Sequence, residues 1–149
     1  MIDTPLPDRA LLVPVDFSAE SQIALRAADA MVAGGRGTLT ILHVQSITEI
    51  QVLDFTYIEP PERIMAARTA AEEALARLKR GLATPAERVT IEVVIGDPVE
   101  QIAARSEEHD LVVMATHERT GLRHFVLGSV AERVVRSARC SVLVVKDRD

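Results

Sequence analysis

Short apolar runs of five to seven residues alternate along this chain with longer segments in which apolar residues return every three or four positions. Bounded runs of that length suit strands buried on both faces, and the longer segments suit amphipathic helices. A strand followed by a helix and then a further strand needs a crossover connection. The order therefore predicts an α/β fold in which a parallel sheet is covered by helices on both faces.

The first run, Ala10 to Val15, carries Pro14 near its end, where a strand is expected to stop. Ser18 is placed to cap a helix whose apolar positions are Ala24, Leu25, Ala28, Met31 and Val32, stopped by Gly34-Gly35. Thr38 to Val44 reads as the second strand. Residues 45–61 show no period and end in Pro60-Pro61, which predicts a long loop or lid. Glu62 to Leu82 has helical spacing, and Val89 to Ile95 is the third predicted strand. Asp97, Pro98 and Glu100 then form a capping-box start for another helix. Leu111 to Ala115 is the fourth strand. Ser129 and Glu132 make a second such box, opening a helix with Val130, Val134, Val135 and Ala138 on one side, and Ser141 to Lys146 supplies the fifth strand.

Composition narrows the function classes. The 149 residues suit one domain, residues 1–149, and the chain is 48% hydrophobic and 26% charged, as expected of a globular protein. No apolar stretch is long enough for a membrane span, and Met1 to Arg9 lack the order of a signal peptide, so the expected compartment is the cytoplasm and no membrane partner is expected. A net charge of -5 without a basic run, and 3% aromatic residues, argue against a nucleic-acid partner. One cysteine, Cys140, excludes an internal disulfide framework. It reads as a small buried residue, although the adjacent Arg139 would lower its pKa.

In an open parallel sheet, ligands bind beyond the carboxyl ends of the strands, where the strand order reverses. That rule selects the loops Pro14 to Ser18, the segment after Val44, Gly96-Asp97, and Thr116 to Ser129. The last ends in Gly128-Ser129 at a helix start, where free N–H groups and the helix dipole favour an anion such as phosphate.

Val13-Pro-Val-Asp16-Phe-Ser18, Val94-Ile-Gly-Asp-Pro98, Met114 to Leu122, Leu127-Gly-Ser-Val-Ala-Glu-Arg133 and Cys140 to Val145 together resemble the universal stress protein family (the UspA-like domain), over nearly the whole chain. The resemblance implies a doubly wound, Rossmann-like five-stranded parallel sheet of the adenine nucleotide alpha hydrolase-like kind. It implies a role in stress response and signalling, and a dimer formed through the last strand, here Val142 and Val144. In the nucleotide-binding branch it implies ATP held by a motif of the form G-x2-G-x9-G-[S/T]. Carried over by position, Asp16 lies near the ribose, Val44 and its neighbours border the adenine, and Gly128-Ser129 hold phosphate. The nucleotide-binding set is then Pro14, Val15, Asp16, Val44, Ala115, Thr116, His117, Glu118, Gly128, Ser129 and Val130.

Ala115 and Glu118 occupy the two leading glycine positions of that motif, with the spacing to Gly128 kept. An alanine is costly only where positive φ is required, by roughly 1–2 kcal/mol. A carboxylate at ~4 Å from a phosphate is unfavourable by about 4 kcal/mol at an effective dielectric near 20. An outward-turned Glu118, a shared Mg²⁺, or charge from Arg119 and Arg123 would relieve it. The expected function is an ATP-binding dimer. The alternative is an interaction module that has lost nucleotide binding, marked by Ala115 and Glu118. No base is positioned for catalysis by spacing, so any turnover, whether ATP hydrolysis or autophosphorylation, is expected to be slow.

Three other features read as structural. His117 has no neighbouring Ser or Cys with an orienting group, so it reads as a loop histidine, and His43 reads as a packed or hydrogen-bonded strand residue. Gly34-Gly35-Arg36-Gly37 follows a helix and precedes a strand, the reverse of a phosphate loop. The segment with Ile50, Val52, Leu53, Phe55 and Tyr57 is unusually apolar for a loop, which suits a lid, a partner surface or a segment folded back on the domain.

Overall fold

A computed structural model describes residues 6–46, 50–52, 55–116 and 127–146. A single-turn helix at Leu6–Asp8 leads into β1 (Ala10–Pro14), α1 (Ala19–Val32) and β2 (Thr38–Gln45). There follow β3 (Ile50–Val52), β4 (Phe55–Tyr57), α2 (Pro61–Arg80), a short turn at Ala86–Arg88 and β5 (Val89–Ile95). The chain ends with α3 (Pro98–Ser106), β6 (Leu111–Ala115), α4 (Ser129–Ser137) and β7 (Ser141–Val145).

Five strands form one sheet in the order β5-β2-β1-β6-β7, every pairing parallel. Alternate side chains of each strand enter opposite layers. Leu11, Val13, Leu39, Ile41, Val89, Val93, Leu111 and Val113 pack with Ala24, Leu25, Ala28 and Val32 of α1 and Ala71 and Leu75 of α2. Leu12, Leu42, Val112 and Met114 pack with Val99 and Ile102 of α3 and Ala131 and Val134 of α4. The doubly wound arrangement expected from the sequence is therefore present.

Residues 45–61 differ from expectation. β2 runs on to Gln45, and β3 and β4 pair antiparallel as a separate hairpin, with Ile50 opposite Tyr57 and Val52 opposite Phe55. Strands of three residues are too short to show a period of two in sequence. Their apolar character reflects β-propensity.

The amino ends of the strands are tied by charged groups distant in sequence. Asp8 accepts from the Arg36 backbone and guanidinium at 2.8 and 3.0 Å. Arg88 donates to the carbonyls of Val32, Ala33 and Gly37, closing the carboxyl end of α1. Asp29 accepts from Ala83 N, Thr84 N and the Thr84 hydroxyl. Asp110 accepts from Ala10 N at 2.8 Å and returns a backbone bond to Ala10 O. Gly35 and Gly37 also serve this end, since a Cβ on either would overlap Pro7 or the Arg9 carbonyl.

Candidate functional site

The strand order reverses between β1, which continues to β2, and β6, which continues to β7. The loops after β1 and β6 thus leave from neighbouring strands at the crevice where doubly wound folds bind ligands.

After β1, Val15 is buried and its N–H still donates to Leu42 O at 2.8 Å, so the sheet continues one residue past Pro14. Asp16 Oδ1 accepts from both the N–H and the hydroxyl of Ser18. The Ser18 hydroxyl accepts in turn from Ser21 N at 3.1 Å, capping α1 as the sequence predicts. Between them Phe17 has φ 65, in the left-handed region that bulky residues rarely adopt. Its ring meets that of His43 at a centroid distance of 4.6 Å. His43 Nδ1 lies 2.8 Å from the Val15 carbonyl. A carbonyl only accepts, so Nδ1 is the protonated nitrogen of a packed, hydrogen-bonded histidine. Phe17 carries no sequence signal for this role, because Asp-Phe-Ser reads as an ordinary capped helix start.

Val44 faces the α3/α4 layer, while the Gln45 carbonyl accepts from Gly96 N at 3.1 Å, joining the ends of β2 and β5. Gly96 has φ +149 and Gln101 packs against it, which accounts for glycine there. Asp97 caps α3 by accepting from Glu100 N at 3.0 Å, and Arg133 of α4 approaches Asp97 at 3.9 Å.

The loop after β6 holds the main revision. Ala115 lies within β6 and is not at positive φ, so the methyl at this glycine position brings no backbone strain. Thr116 is buried, and its hydroxyl oxygen accepts from Gly128 N at 2.9 Å. That bond holds Gly128 extended, at φ -57 and ψ 151, and makes Gly128 the N-cap residue of α4, with no side-chain cap bond. The expectation that Ser129 caps α4 with Glu132 is therefore corrected: Ser129 is the first helical residue, one place too late to cap. The Gly128 N–H is taken by Thr116, so the donors an incoming anion would meet are those of Ser129, Val130 and Ala131. Val130 and Val135 are exposed at 38% and 48%, and the buried stripe of α4 is Ala131 and Val134, a second correction to the predicted face. His117, Glu118, Arg119 and Arg123 lie outside the described residues.

A family model described as the universal stress protein family matches residues 9–146. The chain belongs to that family. Universal stress protein MJ0577 of Methanocaldococcus jannaschii is 28% identical over 95% of this chain and 96% of its own length. Universal stress protein Rv2623 of Mycobacterium tuberculosis is 32% identical over 96% of this chain but 47% of its own, and MJ0531 of Methanocaldococcus jannaschii is matched over 45% of its length. The chain thus spans about half the length of Rv2623, and the match to MJ0531, at 42% identity, takes in 50% of this chain. Among solved structures, UspA from Lactobacillus plantarum superposes with TM-score 0.72 at 24% identity, covering 92% of this chain and 97% of that one. Two further matched universal stress proteins were solved in complex with cAMP (TM-score 0.59, 23% identity, 93% of this chain and 96% of that one) and, from Archaeoglobus fulgidus, with dAMP (0.61, 17%, 93% and 98%).

In this universal stress protein Cys140 is half-buried, and burial pushes its thiol pKa up. Arg139, whose neighbourhood in sequence suggests a lowered value, lies 3.6 Å from Glu107 instead. Among the described residues, no group of three or more His, Cys, Asp or Glu is placed to hold a metal ion, and no helix is long and apolar enough to cross a membrane.

Proposed function

We propose that this universal stress protein is a cytoplasmic, adenine-nucleotide-binding homodimer acting in stress response and signalling. ATP is the expected ligand, with any Mg²⁺ arriving on its phosphates. The observation that supports this reading best is the contrast among helix starts at the carboxyl end of the sheet. α1 and α3 are closed by Ser18 and Asp97, whereas α2, at Pro60, and α4, at Gly128, have no side-chain cap, and of these two it is α4 that follows a strand beside the reversal of strand order. Unclosed N–H groups at a helix start favour phosphate. The cAMP and dAMP complexes of related proteins give the adenine nucleotides as the class to test first.

The second reading, an interaction module without a nucleotide, is favoured by one residue, Glu118, at a glycine position of the family motif. Calorimetric titration with ATP and Mg²⁺, on wild type and on Glu118→Gly, separates the two. Micromolar binding by the wild type is the expected result. Binding only by the glycine variant would make the interaction module the better account, and binding by neither would end the nucleotide reading.

A further inference from the structure

Arg133 stands four residues after Ser129, so the two share one face of α4. Helical side chains lean toward the amino end, which carries the Arg133 guanidinium back toward the helix start that no side chain caps. Its place is marked by Asp97, the N-cap of α3, whose Oδ1 lies 3.9 Å from Arg133 Nη2. Asp97 follows Gly96, which is bonded to Gln45 at the end of β2. The guanidinium therefore sits between the starts of α3 and α4, at the carboxyl end of the sheet. The next two arginines are engaged elsewhere: Arg136 pairs with Glu132 at 2.9 Å within α4, and Arg139 lies 3.6 Å from Glu107 at the far end of α3.

The pair with Asp97 is loose. Its 3.9 Å separation exceeds hydrogen-bond distance, the Arg133 side chain is 60% exposed, and Asp97 Oδ1 already accepts from Glu100 N at 3.0 Å. Exposed pairs of this kind add little stability, so Arg133 leaves Asp97 at small cost. A phosphate oxygen offers the guanidinium a shorter, charge-assisted contact. The Asp97 carboxylate, in the same place, opposes an incoming anion.

We propose that Arg133 exchanges Asp97 for the phosphates of the bound nucleotide, so that affinity rises with phosphate charge. The inference rests on the nucleotide reading above and adds to it a side chain outside the glycine motif. Asp97 is then the competitor, holding Arg133 before the anion arrives and giving it up afterwards. Removing either partner breaks the same ion pair, yet the two removals act on ATP in opposite directions. A pair that only joined α3 to α4 would move both variants the same way.

The test is calorimetric titration with ATP and with adenosine, on wild type, Arg133→Gln and Asp97→Asn. Asparagine caps a helix about as well as aspartate, so Asp97→Asn keeps the start of α3 and removes the charge. Arg133→Gln is expected to bind ATP about tenfold more weakly than wild type and Asp97→Asn about threefold more tightly, with adenosine changed by less than about twofold in both. Shifts of the same sign, an Arg133→Gln variant with wild-type affinity for ATP, or an equal loss for adenosine overturns the role of Arg133 and leaves the nucleotide reading intact. Absence of ATP binding by the wild type overturns both. Circular dichroism reports folding; if Arg133→Gln is unfolded, Asp97→Asn decides alone, and unchanged or weaker ATP binding overturns the proposal.

Discussion

Asp29 shows how a single carboxylate can serve stability away from the candidate site. Burial alone would raise its pKa, but the Thr84 hydroxyl and the N–H groups of Ala83 and Thr84 hold it below the usual carboxylate value. A folded-state pKa below the unfolded one means that the stabilisation is complete above the unfolded value and is lost as pH falls through the folded value. Asp29→Asn is therefore expected to lower stability at pH 7 by about 1–2 kcal/mol, a figure that allows for solvent screening, with the difference from wild type shrinking below about pH 4. Urea unfolding at pH 7 and pH 3 checks it, and a difference that stays constant would remove Asp29 from the acid limb. Neither this bond set nor the left-handed Phe17 is legible in sequence. Both depend on which distant segments meet, Thr84 with α1 in one case and β2 with the loop after β1 in the other.

Among elements, the strands and long helices are legible because each is specified by its own residues. Apolar runs bounded by turn residues give β1, β2, β5, β6 and β7, and the three- and four-residue period gives α1 and α2. The start of α4 is different, because its boundary is set by a partner twelve residues away and not by its own Ser-x-x-Glu pattern. Thr116→Val leaves a backbone donor without its acceptor and is expected to cost about 1–3 kcal/mol, whereas Thr116→Ser keeps the hydroxyl and most of the stability. Urea denaturation of both variants tests this, and a larger loss in Thr116→Ser than in Thr116→Val would show that packing of the threonine methyl matters more than the bond. In the nucleotide reading, Thr116→Val also weakens ATP binding, since the donors of Ser129, Val130 and Ala131 follow the residue that Thr116 holds.

At the scale of the whole molecule, the sheet has two edges, β5 and β7. Near the first, Lys79 reaches the Val89 carbonyl at 2.6 Å. β7 is only half-buried, although Leu143 and Val145 lie toward one apolar layer and Val142 and Val144 toward the other. An apolar edge strand of this kind is a template for a second chain, and in the proposed homodimer a second copy would close it. Light scattering is expected to give twice the chain mass for wild type and a monomer for Val144→Lys, with circular dichroism unchanged; a variant of unaltered mass would exclude this interface. The ties from Asp8, Asp29, Arg88 and Asp110 all gather at the amino ends of the strands, opposite the candidate loops. These ties are therefore separate from the candidate loops, where Thr116 serves both the start of α4 and the candidate site. In the nucleotide reading, a substitution at the carboxyl ends that spares Thr116 leaves the ties at the opposite end of the sheet whole, so recognition and folding can change with little effect on each other.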